Sequence, residues 1–238
     1  MMKRKILNIL LLLLGIFVLI IGCYFGDCYN DAKELMENNP LSEKVEIYTS
    51  KDAYVQYEDI NSYFVNAVVA TEDKRFFTRK GFDWIALSRA IIVNVASGEL
   101  REGGSTLSQQ IAKNLYFQGV KRGIKEKVEE VFIMLELEKD YSKEDLFALY
   151  ASMNYYGDGF YGLSSASQGY YEIDQSELTL AEAAMLAGIP NAPSLYQLST
   201  GYDLAKERQE KVLYRMLEEK YITQEEYLTA LVGDVRRK

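Results

Sequence analysis

Residues 102–116 read EGGSTLSQQIAKNLY. Gly103 and Gly104 allow a tight backbone turn into a helix. Thr106 and Gln109 have the spacing of a capping box at its start. Projected at about 100° per residue, Thr106, Gln109, Gln110 and Lys113 share an arc of ~100°, and Leu107, Ile111 and Leu115 share another of ~80°. One side buries aliphatic chains; the other presents amides, a hydroxyl and an ammonium. Alone, the stretch reads first as an ordinary amphipathic surface helix, although solvated faces usually carry more Glu and Lys and fewer paired amides.

The same periodicity extends outward. From about residue 59 the pattern is helical almost to the end, and prolines occur only at 40, 190 and 193, so the middle of the chain has no proline break. Asp83 caps a predicted helix carrying Trp84, Leu87, Ile91 and Val95, which Gly98 ends. Thr179–Glu182 and Thr223–Glu226 also fit capping boxes, and Ser142–Asp145 is a looser version. NYYGDGFYG (154–162) interrupts the helical pattern as an ordered loop, and VEIYT (45–49) with AYVQY (53–57) reads as a short hairpin. A mainly α domain with a cleft follows.

The chain has 238 residues, 48% of them apolar, which excludes a disordered protein. A net charge of −8 argues against nucleic acid as a partner. With no histidine and two cysteines, neither a structural zinc site nor a disulfide framework is expected. Residues 6–25, ILNILLLLLGIFVLIIGCYF, would span about 30 Å as a helix, the thickness of a bilayer core. Lys3, Arg4 and Lys5 place the N-terminus in the cytoplasm and residue 26 onward outside it. An uncleaved anchor is favoured over a cleaved signal peptide, because the apolar run exceeds the usual ~7–15 residues and no A-x-A site follows. Ile20-Ile21-Gly22-Cys23 also looks like a lipoprotein processing site. The expected organisation is an anchor over 1–25, a stem over 26–57 and a folded domain over 58–238.

Two further stretches carry charge in unusual density. TEDKRFFTRKGFDW (71–84) sets Glu72-Asp73 against Lys74, Arg75, Arg79 and Lys80. Without histidine, proton transfer near neutral pH falls mainly to a carboxylate. Asp73 reads as a structural partner for a nearby amide or cation. In KRGIKEKVEEVFIMLELEKDYSKEDL (121–146), Ile124, Val128, Val131 and Leu135 are expected to form the buried stripe. Lys127 and Glu130, three apart on its flank, read by themselves as an intrahelical ion pair. Arg122 precedes this helix, near the positive end of its dipole, where an anion is favoured.

In this order and spacing the stretches resemble the peptidoglycan glycosyltransferases, the family 51 transglycosylases. The Glu-Asp-x-x-Phe-x-x-His-x-Gly pattern runs from Glu72 to Gly81, with Arg79 at the histidine position. Gly-Gly-Ser-Thr-x-x-Gln-Gln is Gly103–Gln110, and Arg-Lys-x-x-Glu is Glu126-Lys127-Val128-Glu129-Glu130. Tyr150-Ala151-Ser152 loosely matches Tyr-Leu-Asn, Ala166–Glu172 matches a segment that ends in glycine, and LTLAEAAMLAGIPNAPSLYQL (178–198) also has the family look. The likeness covers roughly 58–230. Chain length leaves no room for the transpeptidase domain of the bifunctional members, so the monofunctional, membrane-anchored type is expected.

The resemblance implies a lysozyme-like glycosyltransferase domain behind a single N-terminal transmembrane helix, outside the cytoplasm at the cell membrane. It implies polymerisation of lipid II into glycan strands, with inversion at the donor anomeric carbon and release of undecaprenyl pyrophosphate. Glu72 matches the catalytic base and Glu130 a second, assisting carboxylate. Lys113, Arg122 and Lys127 match pyrophosphate-binding cations, and Ser105, Thr106, Gln109 and Gln110 would line the cleft. No protein-only metal site is expected; Mg²⁺ or another divalent ion, held mostly by pyrophosphate oxygens, is the candidate cofactor. Candidate partners are lipid II, the growing glycan, the bilayer and other cell-wall synthases. The alternatives are a catalytically weak membrane-anchored scaffold of the same fold, and a glycan hydrolase, against which the cations argue.

Overall fold

The computed structural model describes residues 2–81, 105–121, 123–233 and 235. The expected helix from Asp83 to Gly98, the Gly103-Gly104 turn and Arg122 lie outside the described residues. Among those residues the chain is all helix and loop, with one isolated bridge between Tyr155 and Tyr161. The helices are α1 (Met2–Asn38), α2 (Leu41–Thr49), α3 (Ser62–Glu72), α4 (Leu107–Tyr116), α5 (Ile124–Asp140) and α6 (Lys143–Met153). They continue as α7 (Leu163–Tyr171), α8 (Leu180–Gly188), α9 (Pro193–Tyr196), α10 (Tyr202–Glu218) and α11 (Gln224–Val232).

Local chemistry starts these helices where the sequence says it should. Thr106–Gln109, Ser142–Asp145, Thr179–Glu182 and Thr223–Glu226 all form reciprocal capping boxes. Asn61 caps α3 by accepting from the Tyr63 amide at 2.9 Å. The 154–162 loop is ordered: Tyr156 N donates to Phe160 O at 2.8 Å, and Tyr170 Oη donates to Tyr156 O at 2.9 Å. Gly157 sits at φ +79°, and a Cβ there would come within 2.6 Å of Gln197 Cβ, so neither backbone nor space tolerates a side chain.

Three helices make the centre. The small residues of α8 (Ala181, Ala183, Ala184, Ala187) are buried and let α3 and α10 pack closely on it. Aromatic packing fills the space beside α3. Phe147 of α6 lies about 6 Å by ring centroid from each of Phe64, Phe76, Phe77, Tyr57 and Tyr150. The apolar residues leading into Glu72, namely Ile60, Phe64, Ala67 and Val68, are buried. On α4, Leu107, Ile111 and Leu115 form the inward face.

Two expectations are corrected. Residues 45–49 form no strand: the segment from Leu41 to Thr49 is helical, and no hairpin exists. Leu41, Lys44, Val45 and Tyr48 share one face at helical spacing and turn inward, which outweighs the β-branched alternation that suggested a strand. In the supposed second strand, Val55 N donates instead to Ser152 Oγ at 3.2 Å. The buried face of α5 is also rotated from the expected stripe. Glu130, Ile133, Met134 and Leu137 point inward, while Ile124 is 78% exposed and Leu135 is exposed. The segment carries two apolar stripes, and a buried carboxylate interrupts the one that packs.

The anchor and the first part of the stem are one helix. From Ile6 to Asn38, α1 is long and apolar enough to cross a bilayer, and its apolar window has a mean hydropathy of 3.0. Its polar half packs on α5, with Tyr29 edge-on to Phe132 at 5.3 Å and Asp31 paired with Lys125 at 2.7 Å.

Truncating Phe147 to Ala should cost about 3–5 kcal/mol, because the rings around it cannot close the cavity. Ile124→Ala should stay within about 0.5 kcal/mol, as expected for an exposed position. Chemical unfolding of the detergent-solubilised protein measures both, and a large loss at Ile124 would contradict the observed phase of α5.

Candidate active site

The two acidic neighbours at the end of α3 go separate ways. Asp73 closes the helix and turns inward. Its Oδ2 accepts from the backbone N–H of Leu107 at 3.2 Å and from Arg79 Nη2 at 3.0 Å. The Leu107 amide belongs to the first turn of α4, where backbone donors have no helical partner and a carboxylate is favoured. Asp73 is therefore the amide-and-cation partner that the sequence suggested, and it ties the start of α4 to the end of α3.

That tie brings Gln110, one turn into α4, against Glu72. Gln110 Nε2 donates to Glu72 Oε2 at 3.1 Å. The other carboxylate oxygen, Oε1, accepts from Arg208 Nη2 of α10 at 2.9 Å. The Glu72 and Arg208 side chains are each 17% exposed. Glu72 thus sits at the surface of a buried element with both oxygens held by different helices. Tyr150 lies beneath it. Burial above all, and then the Glu72 charge, push the Tyr150 hydroxyl well above its ordinary range.

A second group joins α4 to α5. Lys127 Nζ donates to Ser105 Oγ at 2.8 Å and pairs with Glu130. Glu130 is 1% exposed, whereas Lys127 remains 43% exposed, so the ammonium keeps a face toward solvent while its carboxylate partner does not. A buried carboxylate needs such a partner. Lys113 stands one turn beyond Gln110 on α4, half-buried. Thr106 and Gln109 correct the expectation that they line a cleft. Each is 2% exposed, and they satisfy one another across the helix start, with Thr106 N to Gln109 Oε1 at 2.8 Å. The capping box uses Thr106 Oγ1 and Gln109 Oε1. Of the nine expected site residues, the structure therefore pairs Glu72 with Gln110, groups Ser105, Lys127 and Glu130, and turns Thr106 and Gln109 inward.

Arg79 stands where the resemblance expects histidine, and it does not touch Glu72. Its guanidinium spans Asp73 and Glu138, reaching Glu138 Oε1 at 2.6 Å, and also donates to the Gly81 carbonyl and Ser108 Oγ. Lys143 pairs with the same Glu138 at 2.7 Å. Burial alone would raise the Glu138 carboxyl, but hydrogen bonds from Lys143 and Ser108 and the Arg79 charge hold it below its ordinary value. Glu126, where a family arginine would stand, caps α5 by accepting from Gly123 N at 2.6 Å. That hydrogen bond holds its carboxyl below the ordinary value.

Arg208 was not among the residues singled out from sequence. A signal existed: it falls three after Ala205 and four before Val212, both buried, so a long cation interrupts an apolar stripe.

Arg79→Met should destabilise the fold by about 3–5 kcal/mol, because it leaves a buried carboxylate short of its cation. Glu138, depressed when folded, contributes stability that is complete above its ordinary value of 4.5 and is lost as pH falls below it. Melting curves from pH 7 to 3 should therefore drop more steeply for the wild type than for Glu138→Gln. Equal slopes would mean that the network does not bias the Glu138 proton.

The family described as Transglycosylase has a sequence model that matches residues 37–217. Penicillin-binding protein 1A of Aquifex aeolicus (strain VF5) is 35% identical over 243 residues, 97% of this chain and 33% of that protein. Penicillin-binding protein 1F of Bacillus subtilis (strain 168) is 34% identical over 239 residues, 96% of this chain and 33% of that protein. Penicillin-binding protein 1A of Vibrio cholerae serotype O1 is 39% identical over 184 residues, 77% of this chain and 22% of that protein. The chain thus spans about a third or less of the length of these relatives. The match runs from the end of α1 through α10, across every group built above, and it carries the lysozyme-like helical fold with it: the chain belongs to the transglycosylase family.

Proposed function

We propose that the protein is a peptidoglycan glycosyltransferase that polymerises lipid II on the outer side of the cell membrane. The observation that carries this reading is the Glu72 carboxylate, oriented at the end of a buried helix by Gln110 and Arg208. In the proposed step, the 4-hydroxyl of the acceptor sugar attacks the anomeric carbon of the donor chain. Glu72 takes the hydroxyl proton as the new C–O bond forms. The bond to undecaprenyl pyrophosphate breaks on the opposite face, so the configuration inverts and the diphosphate leaves with the electron pair. Lys127, still partly exposed while bonded to Ser105, is suited to meet the negative charge that develops there, and Lys113 and Arg122 are proposed to join it.

The family resemblance also raises a divalent ion. Among the described residues no cluster of three or more carboxylates or thiols could hold one. Glu130 pairs through Oε1 with Lys127. The proposed orientation rests on Lys3, Arg4 and Lys5 ahead of the apolar run and on the positive-inside rule.

One observation favours the second reading, a catalytically weak scaffold: both oxygens of Glu72 are already engaged. Incubating the detergent-solubilised full chain with lipid II and separating glycans on a gel distinguishes the two. The wild type should form polymer, and Glu72→Gln should reduce the rate by about 10²–10⁴-fold. No polymer from the wild type across detergents and divalent ions would establish the scaffold instead.

A further inference from the structure

Arg208 reaches Glu72 from α10, which holds none of the expected site residues. It sits in the middle of α10, with Ala205 and Val212 buried on the same side. Its stem passes the end of α8 at Gly188, where a Cβ would lie 2.9 Å from Arg208 Cγ and 3.6 Å from Val212 Cγ2. Gly188 has ordinary helical backbone angles, φ −79° and ψ −31°, so its conformation does not require glycine. What the missing side chain provides is a channel for the arginine stem. The guanidinium then meets Glu72 Oε1 through Nη2, while its Nε is buried without a hydrogen-bond partner. An arginine placed only for stability would ordinarily satisfy that donor. This one leaves Nε unpaired and directs its terminal nitrogen to one oxygen of one carboxylate.

We propose that Arg208 is the positioning residue for the general base: with Gln110 it fixes the rotation of the Glu72 carboxylate, and Gly188 is kept small to let it do so. The proposal rests on the glycosyltransferase reading given above. Several charged and titratable groups flank the Glu72–Arg208 pair. Tyr150 lies beneath it from α6. Asp73, the chain neighbour, is engaged by Arg79 and the Leu107 amide. Lys74, the next residue, pairs with Glu219 at the far end of α10. Neither of those two neighbours competes for Oε1. With Oε1 held on the α10 side, the oxygen shared with the neutral Gln110 amide is the one available to an incoming hydroxyl. An amide can shift aside from such a hydroxyl at less cost than an ion pair can be broken. Displacing a catalytic group by about 1 Å can cost on the order of 10²-fold in rate.

The test is a mutant cycle on the full chain in detergent, assayed for lipid II polymerisation beside the wild type. Arg208→Met keeps the stem beside Gly188 and removes the fork. It should lower kcat by about 10²-fold and leave KM within about threefold, because the donor and acceptor surfaces are untouched. Arg208→Lys should recover part of that loss. Gly188→Ala should reproduce part of it without touching Glu72. In a Glu72→Gln background, Arg208→Met should have no additional effect, since the residue it positions is gone. Circular dichroism and thermal melting of each variant report the folded fraction. An active wild type with an unchanged Arg208→Met kcat overturns this inference alone. So does a multiplicative effect in the double mutant, or a kcat loss that only follows the folded fraction. A wild type that makes no polymer overturns the glycosyltransferase reading and this inference with it.

Discussion

The site depends on one bond between a side chain and a backbone amide. Asp73 accepts from the Leu107 N–H, and this contact sets the phase of α4 relative to α3. An α-helix advances about 100° per residue, so fixing its first turn fixes the direction of every side chain behind it. Gln110 consequently meets Glu72, and Ser105, just ahead of the cap, meets Lys127. A negative charge at a helix N-terminus is favourable on its own. Here it is also buried, and Arg79 balances it.

The positions that depart from the family pattern have local physical accounts. A permanently charged guanidinium at 79 is matched by two buried carboxylates, Asp73 and Glu138, rather than by one. A neutral imidazole could not balance both. Glu126 reverses a charge but stands in the first turn of α5, where its carboxylate satisfies the Gly123 amide. Ser152 accepts from the Val55 backbone and so holds the segment that enters the domain. Glu172 occupies the left-handed C-cap of α7 at φ +61°, a conformation that glycine adopts without strain. That substitution adds local strain, and its side chain is exposed.

Legibility followed the range of the interactions. Capping boxes are encoded within four residues, and all four were readable. The inward face of α4 was readable because its leucines and isoleucine are isolated by polar neighbours. The face of α5 was not, since Glu129 and Glu130 occupy buried positions that pattern alone assigns to solvent. Local alternation at Val45, Ile47 and Thr49 suggested a strand where packing on α6 selects a helix. Within the site, the residues grouped in short motifs were identifiable. Thr106 and Gln109 fit both a cap and a cleft by pattern, and in the structure they are buried and form the cap. Arg208 lies 136 residues from Glu72 along the chain, and no local rule joins two residues so far apart.

The continuity of α1 has a mechanical consequence. Membrane-spanning helices tilt by about 20° on average, and their tilt responds to bilayer thickness. Between the apolar run of α1 and the turns that pack on α5 there is no proline and no break in the helix. With the span in a bilayer, the helix acts as a stiff lever rather than a tether. A change in its tilt would reach α5 through the Tyr29–Phe132 and Asp31–Lys125 contacts, one turn or less from Lys127 and Glu130 along the chain.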